Sequence, residues 1–415
     1  MGTLSNQDEL DAAYLRRTIR PARPRNPSGI LQVVDLFCGC GGMTQGLVQA
    51  AYEFGWDVNV QLALDVEPNA VDVYNANFGG AETACVEDRF PGELGAPVSD
   101  AVAQGFAGEL RPHVLLGGPP CQGNSSNNNH TRRTDDRNEL YVRMARAADV
   151  LKPDVVVIEN VPEVIHGKGR VVDRAKADLE RQRYSVDCRV LKLTAFGVPQ
   201  MRQRHVLVAS RLPNLSPAMI LSAAEHQGKR TVGWAIGDLV DREDAPGLDS
   251  HGRPIQRTKE RIDYLFDHEL YRLPDSERPD CHRLKDHSYV SVYGRMDWDQ
   301  PAQTITTGFT CMGQGCYVHP KVRRTITPRE AARLQTFPDF FEFGTKTRTH
   351  LAKLIGNAVP PALTAAIGRV VIPFLECGQG RSNPADSTTV SPAPSSLLPR
   401  AETAAPSGQA STSPR

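Results

Sequence analysis

The chain has no excess of either charge. Lysine plus arginine and aspartate plus glutamate number 48 each in 415 residues. Net charge therefore gives no argument for a nucleic-acid or membrane partner, and only local clusters can supply one. No apolar run approaches the roughly 20 residues that span a bilayer. The N-terminus lacks the apolar core of a secretory signal, so a cytoplasmic protein with no membrane partner is expected. The nine cysteines show no paired spacing, which excludes a disulfide framework and leaves thiols in a reducing compartment. There is no internal repeat. The glycine-rich turn near the N-terminus lacks the phosphate-binding lysine pattern, which argues against an NTPase.

What is present begins with Gly117-Gly118-Pro119-Pro120-Cys121-Gln122. It follows His113-Val114-Leu115-Leu116, which reads as a buried strand. Two glycines and two prolines cannot continue a ladder, so the chain turns sharply there. Cys121 then sits at a strand's carboxyl end, where open α/β sheets place their ligands, and a thiol so placed suits a nucleophile. Glu159-Asn160-Val161 closes a second apolar run, Val155 to Ile158, and Gln200-Met201-Arg202-Gln203-Arg204 precedes a third, His205 to Ala209. In a parallel sheet these groups are expected to converge.

The order of elements predicts an α/β fold with a doubly wound, Rossmann-like sheet. Strands are expected over Leu31–Phe37, Val60–Leu64, Val114–Leu116 and Val155–Ile158. Helices are expected over Met43–Ala50, Ala70–Asn77 after Pro68, and Asn138–Leu151. After Arg211 the rhythm fails and the chain becomes rich in charge, His, Gly and Pro. Regular pattern returns at Thr327-Pro328-Arg329-Glu330, a capping box with Pro at the first helical position. A last helix is expected from about Pro361 to Leu375. The expected domains are a flexible basic arm (1–28), a catalytic and cofactor-binding part (29–210), a smaller irregular insert (211–325), a returning catalytic segment (326–376) and a disordered tail (377–415).

Asp35-Leu36-Phe37-Cys38-Gly39-Cys40-Gly41-Gly42 joins the first strand to the first helix. Glycines there let a ligand approach the backbone, and the helix N-terminus favours a negative group. Asp65 or Glu67, ending the second strand, suits ribose hydroxyls.

With these parts in view the chain resembles the S-adenosylmethionine-dependent DNA (cytosine-5) methyltransferases from about Val33 to Phe374. The residues that carry the resemblance are the Asp35–Gly42 loop, Pro119-Pro120-Cys121-Gln122 and Asp135–Leu140. They continue with Glu159-Asn160-Val161, Gln200-x-Arg202-x-Arg204, Arg329–Pro338 and Gly356–Pro360. Asn124 stands where the family usually has Phe, and Ser125 is kept. The resemblance implies a smaller insert that acts as target-recognition domain and an enzyme that methylates carbon-5 of cytosine in a specific double-stranded DNA sequence. Cys121 would add to carbon-6 of a flipped base. Glu159 would donate to the ring nitrogen, and Arg204, with Arg202 behind it, would hold the carbonyl oxygen.

Cofactor contacts are implied for Asp35, Phe37, Gly39, Gly41, Gly42, Asp65, Val66, Glu67, Pro119, Leu140, Asn357 and Ala358, and for Asp88 beside Glu87. DNA contacts are implied for Ser125, Arg132, Arg133, Thr304 and Thr306. Cys281, His282, Cys311, Cys316 and His319 match no common structural zinc spacing, so no metal is expected. Rival readings are methylation of transfer RNA, methylation of an exocyclic amine, and a catalytically silent DNA-binding protein. Gly118 before the prolines and Cys121 after them disfavour the second. A monomer acting alone, beside a restriction endonuclease or within a phage-defence system fits the sequence equally.

Overall fold

The structure is a computed structural model describing residues 6–97, 110–120, 139–167, 169–223, 229–283, 291–344 and 346–379. Seven strands form one sheet: β1 (Ile30–Leu36), β2 (Asp57–Asp65), β3 (Ala81–Thr83), β4 (Val114–Gly117), β5 (Val155–Asn160), β6 (Ser185–Lys192) and β7 (Gln203–Ser210). Their spatial order is β3-β2-β1-β4-β5-β7-β6. The helices used below are α1 (Asn6–Leu15), α2 (Gly42–Glu53), α3 (Pro68–Asn77), α4 (Val86–Arg89), α5 (Leu140–Leu151), α6 (Val171–Arg181), α7 (Pro217–Ala223), α8 (Val232–Ile236), α9 (Gln256–Asp267), α10 (Pro328–Leu334), α11 (Arg348–Asn357) and α12 (Pro361–Gln379).

The two-residue period of the strands sorts their side chains into two cores. Leu31 and Val33, Val114 and Leu116, Val155 and Val157, and Val206 and Val208 face α2, α7 and α12. Val34 and Leu36, Leu115, Val156 and Ile158, and Leu207 and Ala209 face α5 and α6. A strand covered on both faces reads as an unbroken apolar run, which is why Val155 to Ile158 is legible.

The last helix forms as expected and runs to Gln379. The stretch Arg348–Glu376 is long and apolar enough to cross a membrane by composition, yet 67% of its most apolar window is buried inside the fold. Leu363, Ile367, Val371 and Ile372 pack on α2 and the sheet. Each such aliphatic chain stabilises the fold by about 1.5–3 kcal/mol.

The sheet is mixed, and this corrects the expected parallel convergence. β1 to β5 pair in parallel, whereas β7 runs antiparallel to both β5 and β6. β6 is an edge strand carrying Asp187, Arg189 and Lys192. Charges of that kind blunt an edge against further pairing, and they also hide the strand's apolar signature. Because β7 is reversed, its beginning lies beside the end of β5, with His205 opposite Asn160. In a parallel arrangement Arg204 would sit about 20 Å away at the other end of the strand.

Two boundaries also move. The expected flexible arm instead contains α1, whose Ala12 and Leu15 are buried. The core does not stop at 210, since Leu215, Ile220 and Leu221 around α7 belong to the α2 and α12 face. A separate small core gathers Ile262, Leu265, Leu273, Val292, Met312 and Val318. In a third cluster Met296, Ile305 and Tyr317 meet Phe337, Phe341 and Ile355.

Candidate active site

The carboxyl ends of β1, β2, β4 and β5 and the start of β7 open on one edge of the sheet. Gly117 lets the buried Met144 side chain pack against the end of β4, since a Cβ there would come within 2.3 Å of the Met144 sulfur and displace it. The turn that follows is held by Asn160, whose Nδ2 donates to the Pro119 carbonyl at 3.1 Å while its Oδ1 accepts from Val161 N–H at 2.8 Å. Asn160 thus ties the end of β5 to the residues that lead into Cys121. Cys121 itself lies outside the described residues, as do Ser125, Arg132 and Arg133.

Beside this turn Arg204 Nε lies 2.7 Å from Glu159 Oε1, both side chains being largely buried. Arg204 also donates to the Gln203 carbonyl at 2.6 Å, which fixes its rotamer. The contact to Glu159 is an ion pair at close range, and no aligned hydrogen-bond donor among the described residues reaches that oxygen. Among the described residues this buried oxygen therefore has the Arg204 charge beside it without an aligned hydrogen bond, which leaves room for a further polar partner.

Arg202, expected behind Arg204, braces the chain beneath the site. It is buried, and its guanidinium donates to the Ile305 carbonyl at 3.0 Å and the Ala358 carbonyl at 3.3 Å. Gln200, two residues earlier, donates to the Leu334 carbonyl and to Gln335, and accepts from Ile305 N–H. Gln335 in turn donates to the carbonyls of Ile355 and Ala358. Segments far apart in sequence are therefore laced together beneath the site. Thr304 and Thr306 are drawn into the same lattice. Thr304 donates to the Met201 carbonyl at 3.3 Å, and Thr306 lies 2.9 Å from the Tyr317 hydroxyl. Both hydroxyls have partners inside the protein.

On the other side, Phe37, Gly39 and Gly41 adopt left-handed backbone. The glycines of this loop have different reasons. Among the described residues nothing lies within 4 Å of a Cβ placed on Gly39, whereas one on Gly42 would meet the Val359 carbonyl at 2.1 Å. Only the first stands open to a ligand; the second permits helix α2 to pack against the chain after α11. Asp35 is buried and accepts from the Thr44 hydroxyl at 2.7 Å. It braces the loop from below. Burial pushes its carboxyl up to about 7, although the Thr44 hydrogen bond pulls the other way.

Asp65 and Glu67 are placed differently. Asp65 spends both oxygens on the backbone N–H groups of Gly39 and Glu67, at 2.8 and 2.9 Å. Glu67 is the outward carboxylate, paired with Lys353 of α11 and approached by Asn69. Val66 between them is 69% exposed. Asn357, at the end of α11, is exposed as well. Cys38 and Cys40 are buried, and burial pushes both thiols up, Cys40 to about 12. Neither ionises near neutrality, so neither is a nucleophile.

Comparison with known proteins places this arrangement. The profile of the C-5 cytosine-specific DNA methylases matches residues 31–372. The chain belongs to that family. It is 42% identical over 356 residues to the Type II methyltransferase M1.BsuMI of Bacillus subtilis, covering 85% of this chain and 83% of that one. It is 30% identical over 355 residues to the Type II methylase M.HgiDII of Herpetosiphon aurantiacus, covering 83% and 96%. The fold is shared with the Dnmt2 methyltransferase of S. pombe, with a TM-score of 0.57 at 19% identity, covering 83% of this chain and 99% of that one. The protein is a DNA (cytosine-5) methyltransferase that uses S-adenosylmethionine.

The residues of this methylase fit such a cofactor. The open backbone at Gly39, the outward Glu67 and the bare Val66 offer a donor surface, an acid for hydroxyls and an apolar face for a ring. Asp88 lies exposed on α4, and Glu87 is occupied by Arg143 at 3.7 Å. Leu140 opens α5, half-buried. Sequence reasoning missed Asn160 as the brace of the Pro119 turn and Lys353 as the partner of Glu67. Asn160 lay within a recognised motif, so its signal was present. Lys353 had none, because its role exists only once α11 is laid beside β2.

Proposed function

We propose that Glu159 and Arg204 form the base-binding pair of this enzyme and that Cys121 is its nucleophile. The observation that carries this reading is the ion pair between Glu159 and Arg204, whose buried Glu159 oxygen lacks an aligned donor, set beside the turn that ends in Pro120. A cytosine flipped from the duplex presents a ring nitrogen and a carbonyl oxygen on adjacent positions. Glu159 in its acid form donates to the ring nitrogen, and Arg204 donates to the carbonyl oxygen. Both draw electrons into the ring as the Cys121 thiolate adds to carbon-6, and carbon-5 becomes enamine-like. When bound, S-adenosylmethionine supplies the methyl group as a sulfonium electrophile. A base then removes the carbon-5 proton and elimination frees Cys121.

Arg202 is a positioning residue in this reading. It keeps the start of β7 in register with the chain around Ile305 and Ala358, so Arg204 points at Glu159. Gly39, Val66, Glu67 and Asn357 hold the cofactor, with Asp35 and Asp65 shaping the loop from behind. The small core around α9 is the target-recognition segment, with Arg253, Arg257 and Lys259 available for phosphates. The enzyme works in the cytoplasm as a monomer, and its likeness to type II methyltransferases makes a cognate endonuclease its natural companion. Bisulfite sequencing of DNA from cells expressing it tests the reading. The expected result is protected cytosines within one short sequence; full conversion of every cytosine would overturn it.

A further inference from the structure

The family profile begins at residue 31, yet the chain before it is folded and gripped from several sides. Asp11 of α1 accepts from Arg230 at 2.6 Å, from Arg369 of α12 at 2.8 Å and from Gln49 of α2 at 3.1 Å. Asp8 accepts from Arg230 Nε at 2.9 Å. Burial pushes the Asp11 carboxyl up, but Arg369 and Arg230 together hold it below its ordinary range. Tyr14 accepts from Gln45 at 2.9 Å and meets the Phe340 ring edge-on. Arg16 donates to Asp238 at 3.2 Å and to the Trp234 carbonyl at 2.8 Å.

These contacts fall into two groups. α2, α12 and Phe340 belong to the catalytic body. Arg230, Trp234 and Asp238 flank or lie on α8, and α8 is bonded onward: Val232 N–H donates to the Gln300 carbonyl and Gly233 N–H to the Trp298 carbonyl, both at 2.9 Å. Trp298 in turn lies under the Lys321 ammonium. Arg230 is buried and relies on α1 for both of its carboxylates. Without them it keeps the Gly197 carbonyl alone among its hydrogen-bonded partners in the described residues. A buried guanidinium stripped of its counter-charges must rehydrate, which pulls on the element that carries it.

We propose that α1 is a brace between the catalytic body and the target-recognition segment, setting DNA affinity through Arg230 and α8 rather than the chemical step. This rests on the reading of the small core as the recognition segment.

Deletion of residues 1–22 tests it, with the duplex sequence found by bisulfite mapping as substrate. KM for DNA should rise about tenfold, the usual size of a coupling between sites. The rate at saturating DNA and the affinity for S-adenosylhomocysteine should stay unchanged, and a synthetic peptide of residues 1–22 added in trans should restore KM. An unchanged KM, or a loss of rate and cofactor affinity in its place, overturns the brace. Arg16→Ala in the full chain keeps the question open to test if the truncated protein fails to fold. Arg16 is exposed just beyond α1 and bonds to Trp234 and Asp238, so its loss removes one part of the brace alone, and KM for DNA should rise about threefold with the melting temperature kept; an unchanged KM again overturns the proposal. A triple change of Arg253, Arg257 and Lys259 to Ala separates the two readings. If it weakens DNA binding while the deletion does not, only the brace fails. If it leaves DNA binding intact, the recognition assignment fails with it.

Discussion

Glu159 illustrates how one residue is made useful by its neighbours. It ends a strand buried on both faces, so its backbone cannot move, and Arg204 approaches it from a strand running the other way. Its carboxyl group acts as an acid in the proposed addition step, a kind of contribution worth about 10²- to 10⁴-fold in rate. Glu159→Gln should therefore lower kcat by that amount while S-adenosylhomocysteine still binds, as read by single-turnover methyl transfer and calorimetry. Asp35 is a different case, since it is buried against Thr44 with its carboxyl raised to about 7. The unfolded chain ionises this group near its ordinary value, well below that. Asp35 therefore favours folding at low pH, and this contribution is lost progressively as pH rises from about 4 to 7. Asp35→Asn should leave the melting temperature unchanged below about pH 4, raise it partly at pH 5 and raise it fully at pH 8.5. A lower melting temperature at pH 8.5 would mean that the ionised form has partners beyond Thr44.

Among the elements, the helix at Pro328–Leu334 was the most legible. Its capping box is present as read, with Thr327 accepting from Glu330 N–H and Glu330 reaching back to Thr327 N–H. The box is also buried, and Arg324 binds both oxygens of Glu330 at 2.7 Å. Thr327→Ala should cost about 1–2 kcal/mol of stability in urea denaturation, at the upper end for a cap. β5 was legible because a doubly covered strand is uniformly apolar. β6 was not, since its charged edge leaves no clean alternation. Missing it also concealed the reversal of β7, and with it the physical reason that Arg204 reaches Glu159. α1 was hidden for a related cause. Its Asp8 and Asp11, and Arg16 and Arg20 just beyond it, look like solvated charges in the sequence, and only the fold shows that their partners include Arg230, Arg369, Asp238 and Asn77.

The whole molecule carries a pH dependence that no single segment reveals. His205 and His319 are both buried, and burial holds each imidazole down to about 4. His319 Nδ1 accepts from the N–H groups of Lys321 and Val322, so its proton sits on Nε2, facing Glu330. Below their ordinary value of 6.5 the unfolded chain takes up protons that the folded one refuses. Stability is therefore complete above pH 6.5 and falls toward pH 4, by about 2 kcal/mol per histidine at pH 5. Asp35 opposes this, so the clearest measurement uses Asp35→Asn, in which the unfolding free energy should drop steeply between pH 6.5 and 5. A flat profile there would contradict the buried, neutral state of both rings.

At the same scale, the motif order disclosed the family and the sheet, but not how the motifs are joined. Gln200, Arg202 and Gln335 spend their side chains on backbone carbonyls of distant segments. A sequence records that such residues are there and not which carbonyl each one finds.

The central claim is that Cys121 bonds to carbon-6 of a flipped cytosine held by Glu159 and Arg204. Duplex DNA carrying 5-fluorocytosine at the target position tests it most directly, because fluorine at carbon-5 blocks the final elimination. With S-adenosylmethionine present, a complex that survives denaturation should form, and mass spectrometry of its peptides should place the nucleotide on Cys121. A stable complex linked through any other residue, or no complex from an enzyme that methylates the unmodified duplex, would contradict the account.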